Sequence, residues 1–173
     1  ERASEVLSAD KRAFAKEAAM RSFVLLKNDN QVLPLKSNQK IALIGPLAND
    51  RSNMPGTWSI NADAKQAISV LEGLNNRPGI GSKILYAKGA NISDDPVFAA
   101  KINVFGEKIS IDTRSSQELL AEALTVAAAS DIIVAVVGEA SEMSGEAASR
   151  TSLDIPTSQQ KLIEALSKTG KPL

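Results

Sequence analysis

Ile132-Ile133-Val134-Ala135-Val136-Val137, running straight into Gly138-Glu139, is the stretch that decides the fold. Six apolar residues stand in a row with no polar residue alternating among them. That pattern reads as a short strand covered on both faces, as strands are in a parallel sheet between helix layers. A helix precedes it. Ser115-Ser116-Gln117-Glu118 has capping-box spacing, and Leu119, Leu120, Ala123, Leu124 and Ala127 then recur with helical period. Another helix follows it. Thr157-Ser158-Gln159-Gln160 comes after Pro156, Leu162, Ile163 and Leu166 share one face, and Gly170 is the natural stop.

The same alternation extends toward the N-terminus. Ile41-Ala42-Leu43-Ile44 and Ile84-Leu85-Tyr86-Ala87 read as two further strands, and Ser69-Val70-Leu71-Glu72 has the spacing of a second capping box between them. A further helix is predicted from about Ala9 to Leu26, with Phe14, Ala18 and Phe23 inward. Strands alternating with helices predict an α/β fold: a doubly wound, mostly parallel sheet between helix layers with right-handed crossovers. In such sheets ligand-facing residues gather at the carboxyl ends of the strands. Those ends read Gly45-Pro46-Leu47-Ala48-Asn49, Lys88-Gly89-Ala90-Asn91 and Gly138-Glu139-Ala140, each with the glycine that a close-approach loop requires. Pro46 to Gln66 and Asn91 to Thr113 are long loops, with a turn expected at Asp94-Asp95-Pro96. Lys168-Thr169-Gly170-Lys171-Pro172-Leu173 reads as the exit from a helix into a strand, so the sheet is expected to be truncated at its C-terminal end.

Composition narrows the chemistry. The 173 residues suffice for one domain with a sizeable core. Twenty basic residues balance twenty acidic ones, which argues against a nucleic-acid partner. No block of like charge marks a membrane surface, and the longest apolar run is far too short to span one. Glu1-Arg2-Ala3-Ser4 lacks the apolar stretch of a signal segment. Cysteine and histidine are both absent. A Ser-His-Asp or Cys-His mechanism and a zinc site with His or Cys ligands are therefore excluded. Catalysis would have to use carboxylates, lysine, tyrosine or hydroxyls, and no cofactor is implied.

Glu139, Glu142, Glu146 and Arg150 form the densest group of candidates, just after the third strand. A carboxyl group on such a loop can protonate a leaving oxygen, as glycosidases require of one of their two carboxyls. The plainer reading is solvated loop charges with Arg150 pairing one of them. Gly45 to Asn49 sits where a phosphate loop would, but the further glycines of a dinucleotide fingerprint are missing. Trp58 could offer a sugar-stacking face or be ordinary packing. Asp94 and Asp95 mark a turn rather than a cation site.

Several stretches in order resemble one family. They are Val24-Leu25-Leu26-Lys27-Asn28, Leu33-Pro34-Leu35, Ile41 to Ala48, Gly56-Thr57-Trp58-Ser59 and Val70-Leu71-Glu72-Gly73. Tyr86-Ala87-Lys88-Gly89, Val134 to Glu139, Glu146-Ala147-Ala148-Ser149-Arg150 and Ile155-Pro156 with Gln160 continue the series. Together they are similar to the second domain of glycoside hydrolase family 3, of the bacterial periplasmic β-glucosidase type. The resemblance implies residues 1–36 as a linker helix and lead-in from a preceding (β/α)8-type barrel, and 37–173 as an α/β sandwich domain. It implies retaining, exo-acting hydrolysis of β-linked glucosides or oligosaccharides, with the nucleophilic aspartate in the barrel and an acid/base glutamate here. Glu146 best matches that acid/base, with Glu139 and then Glu142 behind it. Arg150 is implied as a positioning partner of the loop and, with Trp58, as part of the substrate pocket. Localisation would be periplasmic or secreted, and the chain alone inactive. The alternative is a non-catalytic scaffold or carbohydrate-binding domain.

Overall fold

Ile41–Ile44 forms strand β1, and all four of its residues are buried. The reason is its place in the sheet. In the computed structural model, which describes residues 8–59, 62–102, 108–146 and 148–173, β1 pairs in parallel with both β2 (Ile84–Ala87) and β3 (Ile132–Ala135), in the order β2-β1-β3. Ile41 stands opposite Ile84 and Ile132, and Ile44 opposite Ala87 and Ala135. Each fully buried isoleucine or leucine contributes about 1.5–3 kcal/mol of transfer free energy, so the central strand anchors the unit.

β2 departs from the expected cover on both faces. It is an edge strand, and Leu85 is 40% exposed. β3 ends two residues before its apolar run does, although the Val136 N–H still donates to Ile44 O at 2.7 Å. On the side of β3 away from β1, the Ile133 N–H donates to Pro172 O at 2.9 Å, so the segment after the last helix lies along that edge.

The helices follow their capping signals. In α2 (Val70–Asn75) and α4 (Ser116–Ala128), Ser69 with Glu72 and Ser115 with Glu118 close reciprocal capping boxes. α4 buries Leu119, Ala123 and Ala127, while α5 (Thr157–Ser167) buries Gln159, Leu162 and Leu166. Apart from Leu119 and Gln159, these side chains share one core with Ala42, Ile44, Ala87 and Ile133 from one face of the sheet. Asp94-Asp95-Pro96 is not a free turn. Asp95 caps helix α3 (Pro96–Lys101), accepting from the Val97 and Phe98 N–H groups at 2.9 and 3.1 Å, with Pro96 in the first turn. The loops over 46–66 and 91–113 are seen in part, since residues 60–61 and 103–107 lie outside the described residues, as do Glu1 to Ser4 and Ala147.

Contacts divide the chain into two units, Glu1–Pro34 and Leu35–Leu173, and the sheet belongs to the second. In the first, helix α1 (Ala9–Ser22) is alanine-rich and carries a Glu17–Arg21 pair one turn apart at 2.7 Å. It stops four residues short of Leu26, and the inward assignment of Phe14, Ala18 and Phe23 is corrected. No residue of α1 is buried, Phe14 is 77% exposed, and Phe23 follows the helix in extended backbone. Helical spacing put Phe14 and Ala18 on a common face, but spacing does not provide a surface to cover it. Among the described residues no helix is long and apolar enough to cross a membrane.

Candidate active site

Three parallel strands send their carboxyl ends to one side, and β2 and β3 flank β1 on opposite sides. The loops leaving β1 and β3 therefore part at a topological switch point, where open α/β sheets hold their ligands. Gly45 opens the first loop at φ 138°, and a Cβ there would collide with the carbonyl oxygen of Val136. Only glycine lets the two backbones come this close.

The two loops are then tied by a chain of polar contacts. The Asp50 carboxylate accepts from Ser52 Oγ at 2.8 Å, the Asn53 N–H at 3.0 Å and Asn53 Nδ2 at 2.6 Å. That leaves Asn53 Oδ1 to accept the Ser141 N–H at 2.8 Å. Further out, a Cβ on Gly145 would lie 3.1 Å from Thr57 Oγ1, so the β3 loop rests on the residue next to Trp58. Trp58 itself is 66% exposed. On the outer flank of the β1 loop, Arg51 Nε donates to Glu72 Oε2 at 2.8 Å. This hydrogen bond, helped by the Ser69 N–H, pulls the Glu72 carboxyl down to about 2 from an ordinary 4.5.

The three glutamates of the β3 loop have different surroundings. Glu139 is half-buried, and its Oε1 pairs with Arg150 Nη1. Arg150 also donates from Nη2 to Asp154 O. Glu142 lies beside Ser141 in a short turn, Ser141–Met143, and lines a cleft of about 710 Å³ with Asp95, Phe98, Lys101, Arg150 and Lys161. Glu146 follows Gly145 and is exposed. Among the described residues no hydrogen bond or ion pair engages its side chain. The fold thus gathers Glu139, Glu146, Arg150 and Trp58 in the β1 and β3 loops, with Arg150 facing a carboxylate. Among the described residues no group of three or more acidic side chains is placed to hold a metal ion.

Gln159 is the residue that the sequence reading did not single out. Its side chain is fully buried. Oε1 accepts the Gly138 N–H at 2.8 Å, while Nε2 donates to Gly138 O at 2.7 Å and to Ile92 O at 3.0 Å. One amide thereby fixes the glycine from which the β3 loop departs and ties it to the β2 loop. A signal was present: Gln159 occupies the inward helical stripe of Leu162, Ile163 and Leu166, where a polar residue needs buried partners. Asn53 carried no such signal.

A profile of the Glycosyl hydrolase family 3 C-terminal domain matches residues 23–173. The periplasmic beta-glucosidase of Salmonella typhimurium is 48% identical over 162 residues, which cover 94% of this chain and 21% of that protein. A beta-xylosidase of Formosa agariphila is 35% identical over 168 residues, covering 94% and 20%. Among solved structures, the beta-glucosidase from Listeria innocua matches with a TM-score of 0.79 at 27% identity, over 99% of this chain and 20% of that one. The chain spans about a fifth of the length of the curated relatives it matches.

Proposed function

The chain belongs to glycoside hydrolase family 3, as its C-terminal domain, and from that premise we propose that it lends the acid/base carboxyl and one wall of the sugar pocket to a retaining, exo-acting β-glycosidase. The observation that carries this is the state of Glu146: an exposed carboxyl, unengaged among the described residues, beside a glycine that rests against Thr57. A proton donor for a substrate held by another domain has to reach out of its own domain without a competing partner.

Glu146 first protonates the leaving glycosidic oxygen. After the aglycone departs, the same group, now ionised, takes a proton from the water that attacks the glycosyl intermediate. The nucleophilic carboxylate comes from a preceding (β/α)8-type barrel of the same protein, and retention requires the two carboxyls to stand roughly 5–5.5 Å apart across the scissile bond. Trp58 lines the outer part of the pocket, where an aromatic face suits sugar C–H surfaces. β-Linked glucosides or oligosaccharides are the substrate class, in keeping with the beta-glucosidase and beta-xylosidase names of the relatives. The periplasmic name of the Salmonella relative supports a periplasmic or secreted location. The exposed Phe14, Phe23 and Leu26 of the first unit suit a lead-in that lies against the barrel.

The test uses this domain joined to its preceding barrel. Glu146→Gln should cut turnover of a disaccharide far more than that of 2,4-dinitrophenyl β-glucoside, whose leaving group needs little protonation. The chain alone should hydrolyse neither, because it lacks the nucleophile and the positioning that the second domain supplies. Equal, undiminished rates on both substrates in the Gln variant would refute the assignment.

A further inference from the structure

The loop that carries Glu146 is closed at its neck by two side chains. It leaves the sheet at Gly138, whose N–H and C=O are both held by Gln159. One residue later Glu139 meets Arg150, which lies at the far end of the loop and also reaches Asp154 O, just ahead of Pro156 and helix α5. Between these ends the loop is supported through Ser141 on Asn53 and Gly145 on Thr57. Glu146 sits on the segment that the neck contact and these two supports define.

The neck pair is more sheltered than the ion pairs that link successive turns of a helix surface. Its side chains are 32% and 30% exposed, against 79% and 54% for Arg21 with Glu17 and 71% and 67% for Lys168 with Glu164. Partly sheltered charges are screened less by salt and hold geometry better than exposed ones. A guanidinium also stabilises the ionised form of the carboxylate it faces, the reverse of what proton donation needs. Arg150 has two of its N–H groups committed within its own domain.

We infer that Glu139 and Arg150 form a clasp that positions Glu146, rather than a second proton donor and a substrate ligand. This rests on reading Glu146 as the acid/base. Opening the clasp frees the loop to drift, and a misplacement of about 1 Å can cost on the order of 100-fold in rate.

The experiment again uses the domain joined to its barrel, with Glu139→Gln, Arg150→Met, the double variant, the charge-exchanged pair Glu139→Arg with Arg150→Glu, and Glu146→Ala. Turnover is read on a disaccharide and on 2,4-dinitrophenyl β-glucoside, with and without azide. Each single variant should lose about 10- to 100-fold on the disaccharide and much less on the activated glycoside. The double variant should be no worse than the poorer single, and exchange of the charges should recover part of the loss. Azide should accelerate Glu146→Ala by forming glycosyl azide, and should do nothing for Glu139→Gln. Losses that multiply in the double variant would overturn the clasp, and so would equal losses on both substrates or glycosyl azide formed by Glu139→Gln. If Glu146→Ala keeps full activity on both substrates, the acid/base reading itself fails, whatever the clasp variants do.

Discussion

Replacing Gln159 by leucine keeps the side-chain volume and removes every polar contact that the amide makes. Three backbone groups lose a partner: the Gly138 N–H, Gly138 O and Ile92 O. A buried polar group left without a partner costs about 1–3 kcal/mol. Gly138 is half-buried, and Ile92 O keeps a long 3.4 Å contact from Ser158 Oγ, so the low end applies. About 1 kcal/mol for each group gives a destabilisation of about 3 kcal/mol. For a chain of this length that lowers the melting temperature by about 6–12 °C. Differential scanning calorimetry of the chain measures it directly. Gln159→Glu sharpens the test. A carboxylate in that site faces two carbonyl oxygens in a buried setting, which favours its protonated form and raises its folded-state pKa. A raised folded pKa gives stability that is present at low pH and lost as pH rises, so the Glu variant should recover relative to wild type between pH 7 and pH 4. A Leu variant melting within about 2 °C of wild type would refute the claim that this amide holds the root of the loop.

Two further outcomes follow from the β1 loop. The Glu72 carboxyl, at about 2, is lowered first by Arg51 and then by the Ser69 N–H. A depressed folded pKa gives stability that is present above 4.5 and lost as pH falls toward 2. In Arg51→Met the Glu72 titration, followed by carbon-13 NMR, should move up toward the ordinary range and that part of the acid sensitivity should disappear; an unmoved titration would contradict the pairing. Gly45→Ala places a methyl group against Val136 O at a φ that other residues avoid. It should cost at least about 2 kcal/mol, read as a lower urea midpoint; an unchanged midpoint would mean that the two loops do not meet there.

Much of this architecture was legible because apolar runs and caps are local signals. Ile41–Ile44 and Ile84–Ala87 were bounded correctly, and both capping boxes close as their spacing required. The readings that had to be corrected depend on what surrounds a residue. Leu85 is apolar within an apolar run, yet it is exposed because strand order puts β2 at the edge. Phe14 and Ala18 share a helical face that no described residue of this chain covers. The same limit applies at the site. A glutamate paired with an arginine eleven positions on looks, in sequence, the same as one that no described residue engages. Only the folding-back of the loop separates Glu139 from Glu146. The Asn53 contact to Ser141, across 88 residues, has no local trace at all.

The Asn53 contact and the neck of the β3 loop also set where this domain can change length. Ser141 is fastened to Asn53 in the β1 loop, and Arg150 to Glu139 at the root of its own loop. Lengthening a flexible loop is inexpensive, about 0.6 kcal/mol for each doubling. Beyond the buried Met143, residues 144–149 are therefore a stretch where insertions leave the register of the sheet intact, while activity survives only where Gly145 and Glu146 keep their places. Residues 45–53, held by Gly45 against Val136 and by Asp50, offer no such latitude. Insertions in the first stretch should therefore be read out as lost or altered turnover in a folded domain, and insertions in the second as unfolding.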